Sequence, residues 1–369
     1  MCGAGCESNS WCIKRREIRG RVYSMANNFG YKTGKAVKAL EFEDYYVWDC
    51  SVIKSGGKYH MFSSRWDRKL GFGWNWLFNS EIVHCVSDTP EGPYQFQNVV
   101  LPRRGRQYFD GMSTHNTSIK EHNGKFYLYY MGTTYGGDML ECMDGVSQEY
   151  GIETWNRKRI GIAVADDING EFVRHDTPLL EPRDCRYWDC TITTNPSVSI
   201  MPDGKTYMIY KSRQAIGKPL QLGIAVADCP DGKFERFSDQ PILNFENEDF
   251  HIEDPFIWYD EHKKKFCLIA KDDCKNGSTG ITGEWGSGFY AESDDCMDFE
   301  IAPNPLVYSR HVKWEDGSET LQGNLERPSI LFDENGKPTH LFCASGYGSN
   351  PYDFDGNTFI VCMKLEEEK

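Results

Sequence analysis

One short pattern recurs five times along the chain and constrains its fold more than any other feature. In each copy a polar or charged residue opens an apolar segment with the character of a β-strand. The five openings are Trp48-Asp49, His115-Asn116, Thr194-Asn195, Glu253-Asp254 and Glu326-Arg327. Adjacent carboxylates such as Glu253 and Asp254 repel each other and disfavour strand positions. Their place at a strand opening therefore indicates a functional site rather than a contribution to stability.

Each opening is followed by a turn and a second alternating strand. The turns are Gly56-Gly57, Asn123-Gly124, Asp203-Gly204, Asp260-Glu261 and Asn335-Gly336. Asn-Gly and Asp-Gly between apolar alternations are strong signals for a β-hairpin. A third strand follows in the first four units and ends in an Asp or Ser-Asp turn.

The openings lie about 60 to 80 residues apart, which suits sheets of four short strands. Radially arranged four-stranded blades solve the edge problem of such repeats. We therefore predict an all-β fold, a five-bladed β-propeller over residues 46–369 with a partly irregular N-terminal arm over residues 1–45. The fifth unit is short, so a strand from about residues 38–47 is expected to close the ring. The alternative is an irregular β-sandwich.

Charge and composition exclude several partner classes. A formal net charge of −14 argues against nucleic acid and anionic membranes as partners. The chain shows no apolar run long enough for a membrane span and no apolar core of a signal peptide at its start. We expect a cytoplasmic protein with reduced cysteines, and a homodimer through the N-terminal arm is a further hypothesis.

The innermost strand of each propeller blade lines the central channel, so the five openings should meet in one axial pocket. The predicted pocket residues are Trp48, Asp49, His115, Asn116, Thr194, Asn195, Glu253, Asp254, Glu326 and Arg327. Four acids, a histidine and an arginine in one register indicate a binding or catalytic site. Asp110 and Asp189 occupy equivalent loops, Phe109-Asp110 and Trp188-Asp189, just before two of these strands. Either aspartate could instead cap its own loop.

These motifs resemble those of the five-bladed β-propeller glycoside hydrolases of families 43 and 117 and, more distantly, families 32 and 68. The resemblance covers about residues 46–363 and rests on short motifs. It implies that Asp49 is a general base and that Glu253 is a general acid, with Asp254 at the position where the motif has Gly. Asn195 stands where family 43 has an aspartate that orients the acid. Either Asp189 takes its place, or another group does its work, or the activity differs; we expect Asp189 to be the orienting carboxylate.

The residue types fit the chemistry that the resemblance implies. Cleavage of a glycosidic bond needs one carboxyl group to protonate the leaving oxygen and one carboxylate to activate water or attack carbon. Like charge from Asp254 and Asp189 is expected to raise the pKa of Glu253. Arg327 would hold a substrate hydroxyl or carboxylate. His115 and His251 are expected to assist, since the resemblance to family 117 implies a histidine in the acid step.

Aromatic loops complete the expected site. Trp66, Trp74 and Trp76 lie in a glycine-containing excursion of the first unit, and Trp285 lies between two glycines of the fourth. Flat aromatic rings stack on sugars, and Trp48 and Trp188 are further candidates for substrate contact. Long loops would narrow the pocket mouth, which favours exo-action on short oligosaccharides by an inverting enzyme.

Three alternatives stay open at this stage. The first is a retaining enzyme with Asp49 as nucleophile, and the second is a sugar-binding propeller without catalysis. The third is a phosphorylase, which requires cations near the acid; Arg157, Lys158 and Arg213 are candidates. No cofactor is required by any of these functions and no metal ligands are assigned, although a structural calcium ion in the channel is compatible with the resemblance.

Overall fold

The fold was analysed in a computed structural model, which describes residues 29–136, 140, 146–245, 251–274, 280–352, 354 and 356–368. The described chain forms five four-stranded antiparallel sheets and one two-stranded hairpin. Each large sheet is one blade, and the strands of blades 1 to 4 run outward from the axis in chain order. The predicted five-bladed β-propeller is confirmed.

The first strand, β1 (Tyr31–Glu41), belongs to the last blade in the chain. Blades 1 and 2 follow it. Blade 1 comprises β2 (Tyr45–Ser55), β3 (Lys58–Asp67), β4 (Glu81–Ser87) and β5 (Gln95–Leu101). Blade 2 comprises β6 (Ser113–His122), β7 (Lys125–Thr133), β8 (Arg159–Ala165) and β9 (Val173–Arg174).

Blades 3 and 4 repeat the arrangement. Blade 3 comprises β10 (Thr194–Ile200), β11 (Thr206–Ser212), β12 (Gln221–Ala227) and β13 (Glu235–Arg236). Blade 4 comprises β14 (Ile252–Asp260), β15 (Lys265–Asp272), β16 (Gly288–Ser293) and β17 (Glu300–Tyr308). A small hairpin, β18 (His311–Lys313) and β19 (Glu319–Leu321), then leads to the fifth blade.

Blade 5 is assembled from both ends of the chain. Its inner strands are β20 (Glu326–Phe332), β21 (Pro338–Gly346) and β22 (Thr358–Glu367), and β1 pairs with β22 in antiparallel register. The strand that closes the ring therefore starts at Tyr31. It lies within the segment predicted to be an N-terminal arm, and it begins earlier than the expected residues 38–47 and overlaps them at residues 38–41.

Helices are few and lie in loops at the pocket end. A 3-10 turn (Arg68–Leu70) and helix α1 (Asn75–Asn79) fill the excursion between β3 and β4. Helix α2 (Gln148–Asn156) precedes β8, and the Ser147 hydroxyl caps it by accepting from the Tyr150 amide. This N-cap satisfies an amide that the first helical turn would leave without a partner.

The predicted turns form because their residues tolerate left-handed backbone. Asn123 and Gly124 have φ values of 51° and 76°, and Gly56 and Gly57 have 55° and 80°. Two successive positive φ values define the tight turn that matches the twist of paired strands. The hairpin signals in the sequence are therefore confirmed.

The hydrophobic core lies between the blades rather than in one central mass. Leu128 of blade 2 packs with Phe62 of blade 1, and Met208 of blade 3 packs with Ile162 of blade 2. Each blade buries both of its faces against its neighbours, and the channel end of the inner strands is left for polar residues.

Candidate active site

Equivalent residues open the five inner strands in left-handed backbone conformation. The φ values are 52° at Asp49, 60° at Asn116, 52° at Asn195, 52° at Asp254 and 58° at Arg327. In each blade the pairing with the second strand shifts at this residue, which is the signature of a β-bulge. Asn and Asp tolerate this conformation better than other side chains except Gly. The recurrent openings in the sequence are therefore five copies of one bulge.

The bulge residues form a belt of hydrogen bonds around the axis. Asn116 donates from Nδ2 to Oδ1 of Asn195 at 2.8 Å, and Asn195 donates from Nδ2 to Oδ1 of Asp254 at 2.8 Å. The guanidinium of Arg327 lies 3.1 Å from the same Asp254 oxygen. The Asn116 amide donates to Oδ2 of Asp49 at 3.1 Å. Four blade boundaries are thus joined by polar contacts at the axis.

Asp49 is almost fully buried within this belt. Its Oδ1 accepts from the amide and the hydroxyl of Thr117, both at 3.2 Å. Nε2 of His115 lies 3.4 Å from its Oδ2. Burial raises the pKa of Asp49 to about 6, against the lowering effects of the Ser64 hydroxyl and the Arg327 charge. Asp49 is therefore ionised at neutral pH and takes up a proton in mildly acid solution.

A cavity of about 710 Å³ opens above the belt. Trp48, His115, Glu253, Glu326 and Arg327 line it, so five predicted residues share one wall. The cavity lies at the end of the axis where the inner strands begin. A larger concavity of about 810 Å³ lies elsewhere and is lined mainly by turn residues such as Ser55, Gly56 and Thr89. The belt aspartates and Glu253 are absent from that lining.

Glu253 faces the cavity between lysines of two blades. Nζ of Lys211 donates to its Oε1 at 3.2 Å, and Nζ of Lys271 lies 4.0 Å from its Oε2. Burial alone would raise the pKa of Glu253, but the charges of Lys211, Lys271 and Arg327 outweigh it and hold that pKa below its usual range. The predicted raised pKa is therefore wrong for the ligand-free protein, in which Glu253 is a carboxylate.

Glu326 is the second carboxylate in the cavity wall. It pairs with Nζ of Lys271 and accepts from the hydroxyl of Tyr352 at 2.7 Å and from Nδ2 of Asn324 at 3.0 Å. Burial opposes ionisation, yet the Lys271 charge lowers the pKa of Glu326. With all these donors, Glu326 is held as a fixed anion.

Aromatic rings form a large part of the cavity lining. The lining includes Trp48, Trp66, Phe72, Trp74, Trp76, Trp155 and Tyr352. The predicted first-blade tryptophans are thus at the site. Helix α2 contributes Trp155 and packs on the first-blade excursion, because Trp74 lies so close to Gly151 that a Cβ there would be 2.9 Å from the indole. Trp285 is absent from the lining; its Nε1 donates to Asp273 at 2.8 Å.

Asp189 lies outside the cavity lining, in an ion-pair cluster. It accepts from Arg183 at 2.7 Å and from the Tyr210 hydroxyl at 2.8 Å, and it also pairs with Arg236. Trp188 stacks on the Tyr210 ring at 5.9 Å. These contacts give Asp189 a structural role instead of the expected orienting role. Neither Asp189 nor Trp188 therefore belongs to the candidate site. Asp110 makes the matching cluster in blade 2 with Arg104, Arg174 and Tyr130.

The remaining predicted residues lie below or beside the cavity. Asn116, Asn195 and Asp254 are buried in the belt and do not line the cavity. The same holds for Asp49, so the structure places all four beneath the cavity rather than in its lining. His251 is buried near the rim, where its Nδ1 accepts from the amide of Leu220 at 3.4 Å, and Leu220 itself is a lining residue.

The axis does not fit a calcium ion. Within the described residues, His, Cys, Asp and Glu side chains nowhere gather in the groups of three or more that hold a metal. Calcium takes six to eight oxygen ligands, whereas the belt places the Arg327 guanidinium against Asp254. The arginine thus supplies the positive charge at the axis.

Sequence reasoning missed Lys211, Lys271 and Trp155. Lys211 pairs with Thr194 and Lys271 with Glu253 across the first hairpins of blades 3 and 4, so the two lysines are structural equivalents. A lysine late in an otherwise apolar strand is the signal that could have revealed each one. Of the suggested cations, Lys158 and Arg213 line the cavity, whereas Arg157 pairs with Glu153 on the surface.

Comparison with solved structures identifies the fold. The BT0996 RGII complex has a TM-score of 0.66 and 13% identity, with 90% of this protein and 92% of that one covered. Zg3597, a family 117 glycoside hydrolase from Zobellia galactanivorans, has a TM-score of 0.62 and 19% identity, with coverages of 93% and 92%. A thermostable family 43 glycoside hydrolase has a TM-score of 0.56 and 15% identity, with coverages of 88% and 91%.

This is the fold of the five-bladed propeller glycoside hydrolases. No protein-family model and no curated protein matches the chain. Among the described residues, the helices are all too short and too polar to cross a membrane. The described cysteines are free thiols.

Proposed function

We propose that the protein is a glycoside hydrolase that cleaves short oligosaccharides in the axial cavity. The observation that carries this proposal is that Glu253 of blade 4 lines the aromatic cavity, while Asp49 of blade 1 lies buried in the belt 3.4 Å from His115, which is itself a lining residue. Charge from Arg327 acts on both carboxyls. A carboxyl pair beside a sugar-sized aromatic cavity is what glycosidic cleavage needs.

The proposed roles follow from access and charge. Asp49 is ionised at neutral pH and serves as the base that activates water. Glu253 faces the cavity and serves as the acid that protonates the leaving oxygen. Because Lys211 and Lys271 hold Glu253 ionised in the ligand-free protein, it gains its proton only when substrate binding offsets those charges. Arg327, anchored on Asp254, keeps its fixed charge beside both groups.

Inversion and exo-action are the finer parts of this proposal. Helix α2 and the first-blade excursion crowd the cavity mouth through the Trp74–Gly151 contact, which favours the end of a chain over its middle. Proton NMR of the first-formed anomer distinguishes inversion from retention. Release of only the terminal sugar from a labelled oligosaccharide distinguishes exo- from endo-action.

The test is turnover on aryl arabinofuranosides, xylosides and galactosides and on anhydrogalactose-containing oligosaccharides. Asp49→Asn and Glu253→Gln should each lower kcat by about 10²–10⁴-fold on any substrate that is cleaved, as expected for loss of a general acid or base. The exposed Asp316→Asn and Glu235→Gln variants serve as matched controls and should keep wild-type kcat. Wild-type turnover in both site variants, or no turnover of any glycoside by the wild-type protein, would overturn the proposal.

A further inference from the structure

The cavity contains more positive side chains than its carboxylates can pair. Lys211 is paired with Glu253, Lys271 with Glu326, and Arg327 with Asp254. These three pairs use Glu253 and Glu326 in the wall and Asp254 beneath it, and Asp49 in the belt accepts from Asn116 and Thr117. Lys158 and Arg213 line the same cavity. Within the described part of the chain, neither of these two cations has an ion pair with a carboxylate.

Lys158 is a buried lysine that lines the cavity, and burial together with the charges of Lys211, Arg213 and Arg327 holds its pKa well below the usual value for lysine. Its residue is only 2% exposed, and its Nζ lies 3.5 Å from the centre of the Trp155 ring and 5.5 Å from that of Trp76. A ring contact of this kind contributes about 0.5–2 kcal/mol, whereas burying an uncompensated charge costs several kcal/mol. The aromatic contacts alone therefore do not offset the burial of this ammonium group.

Arg213 approaches the same ring. Its guanidinium carbon lies 3.8 Å from the Trp155 ring centre, and its buried Nε has no hydrogen-bond partner among the described residues. Both side chains contact one indole and line one cavity, so an oxyanion that enters the cavity beside that ring is attracted to both. Arginine and lysine together are the usual protein donors to carboxylate, sulfate and phosphate oxygens.

We propose that Lys158 and Arg213, held against Trp155, form a subsite for an oxyanion that enters the cavity with the substrate. The inference rests on the proposed glycosidase function and adds a substrate class: a sugar that carries a carboxylate or sulfate, or a neutral sugar that is cleaved with inorganic phosphate.

An anion at this subsite would also explain how Glu253 gains the proton that it needs as a general acid. Lys158, Lys211 and Arg213 are close enough for their charges to act on one another, and Glu253 acts on Lys158 and Arg213. An added negative charge in the cluster would offset the cations that hold Glu253 ionised. The pKa of Glu253 would then rise toward the range of a general acid. Protonation of the acid would thus be coupled to arrival of the correct substrate.

The two sources of the oxyanion lead to different products. In the phosphate case a phosphate oxygen forms the bond to the anomeric carbon as the glycosidic bond breaks, and the leaving oxygen takes the proton of Glu253. The product is a sugar 1-phosphate. In the substrate-borne case a water oxygen forms the bond to the anomeric carbon as the glycosidic bond breaks, Asp49 takes a proton from the water, the leaving oxygen takes the proton of Glu253, and the anionic group is unchanged.

The experiment is a binding titration followed by tryptophan fluorescence and thermal melting. The probes are sodium phosphate, sodium sulfate and sodium D-glucuronate, with D-glucose and with sodium chloride at equal ionic strength as references. At least one oxyanion should bind saturably to the wild-type protein. Its affinity should fall at least tenfold in Lys158→Met and Arg213→Met. Lys233→Met and Arg186→Met, which remove exposed cations, should bind like wild type.

Stability separates a binding role from a structural one. Lys158→Met removes a buried charge that has no anionic partner, so its melting temperature should equal or exceed that of the wild type. A lysine that served only the fold would give a lower melting temperature. The absence of saturable oxyanion binding to the wild type, or unchanged affinity in both site variants, overturns the inference.

The results also show whether the oxyanion comes from the sugar or from inorganic phosphate, and they test the hydrolase function and the oxyanion subsite separately. Preference for glucuronate over phosphate assigns the oxyanion to the sugar, and phosphate-dependent formation of a sugar 1-phosphate assigns it to phosphate. If the protein binds the anion but cleaves no glycoside, the subsite is supported and the hydrolase proposal is overturned. If the protein cleaves neutral glycosides but binds none of the anions, the hydrolase proposal is supported and the subsite is overturned.

Discussion

Asn195 donates from Nδ2 to Oδ1 of Asp254 at 2.8 Å, from the position where the resemblance to family 43 predicts an aspartate. Its own Oδ1 accepts from Asn116 and from the hydroxyl of Thr194. An ionised carboxylate can accept but cannot donate, so only the amide can link blade 2 to blade 4 through this residue. The departure from the family pattern therefore has a structural reason.

Replacing that amide by a carboxylate should destabilise the protein in a pH-dependent way. Asn195→Asp places two buried carboxyls 2.8 Å apart, so their pKa values rise in the folded state. Stability is then retained below the unfolded pKa of about 4 and lost as the pH rises through the raised values. We expect a loss of about 2–4 kcal/mol in the free energy of unfolding at about pH 7.5. Urea unfolding at mildly acid and mildly alkaline pH measures it, with the exposed Asn335→Asp variant as control. Equal stability of Asn195→Asp and wild type on the alkaline side would contradict this expectation.

Asp189→Asn should lower stability without lowering turnover per folded molecule. The change leaves the partly exposed guanidiniums of Arg183 and Arg236 without their shared carboxylate, which should cost about 1–3 kcal/mol. Asp110→Asn in blade 2 is the matched variant, since Asp110 has the same partners in kind. The melting temperature of each variant measures its stability, and kcat at a temperature where both variants are folded measures its turnover. A normal melting temperature with a large loss of kcat would return Asp189 to the catalytic set.

The architecture could be predicted because its determinants are local. The alternation of strands such as β7 and β11, the turns at Asn123-Gly124 and Asp203-Gly204, and the repeated openings are all written in short stretches of sequence. Because the five inner strands begin with the same pattern, their first residues converge at the axis when the ring of blades closes. That is why Trp48, His115, Glu253, Glu326 and Arg327 line one cavity.

The errors come from side chains whose direction depends on packing. Asp189 was expected in the cavity because its loop precedes an inner strand, but Arg183 and Arg236 hold it in a structural cluster. The charge state of Glu253 was misjudged because Lys211 and Lys271 reach it from second strands. Spacing along the chain gives no direct measure of such contacts. Trp155 depends likewise on how helix α2 packs against Trp74.

The activity should fall on the acid side of about pH 6. As the proposed base, Asp49 must be ionised, and its pKa of about 6 places the acid limb of kcat/KM there. Ser64→Ala removes a hydroxyl that lowers this pKa, so the limb should move to higher pH by about half to one unit. The exposed Ser318→Ala variant should leave the profile in place. An acid limb that is identical in wild type and Ser64→Ala would remove Asp49 from the base role.

Truncation of the aromatic wall should weaken substrate binding more than catalysis. Trp74 is half-buried, lines the cavity and contacts helix α2 at Gly151, so Trp74→Ala removes ring surface from the mouth but leaves both carboxyls in place. We expect KM to rise about tenfold, since an aromatic contact of this size is worth about 1.4 kcal/mol, with a smaller change in kcat. Trp314→Ala is the matched control, because Trp314 packs on Phe359 at 6.0 Å and lies outside the cavity lining. If Trp74→Ala instead lowered kcat with KM unchanged, the ring would act on the transition state, and the wall would have to be reassigned from substrate binding to positioning of the reacting sugar.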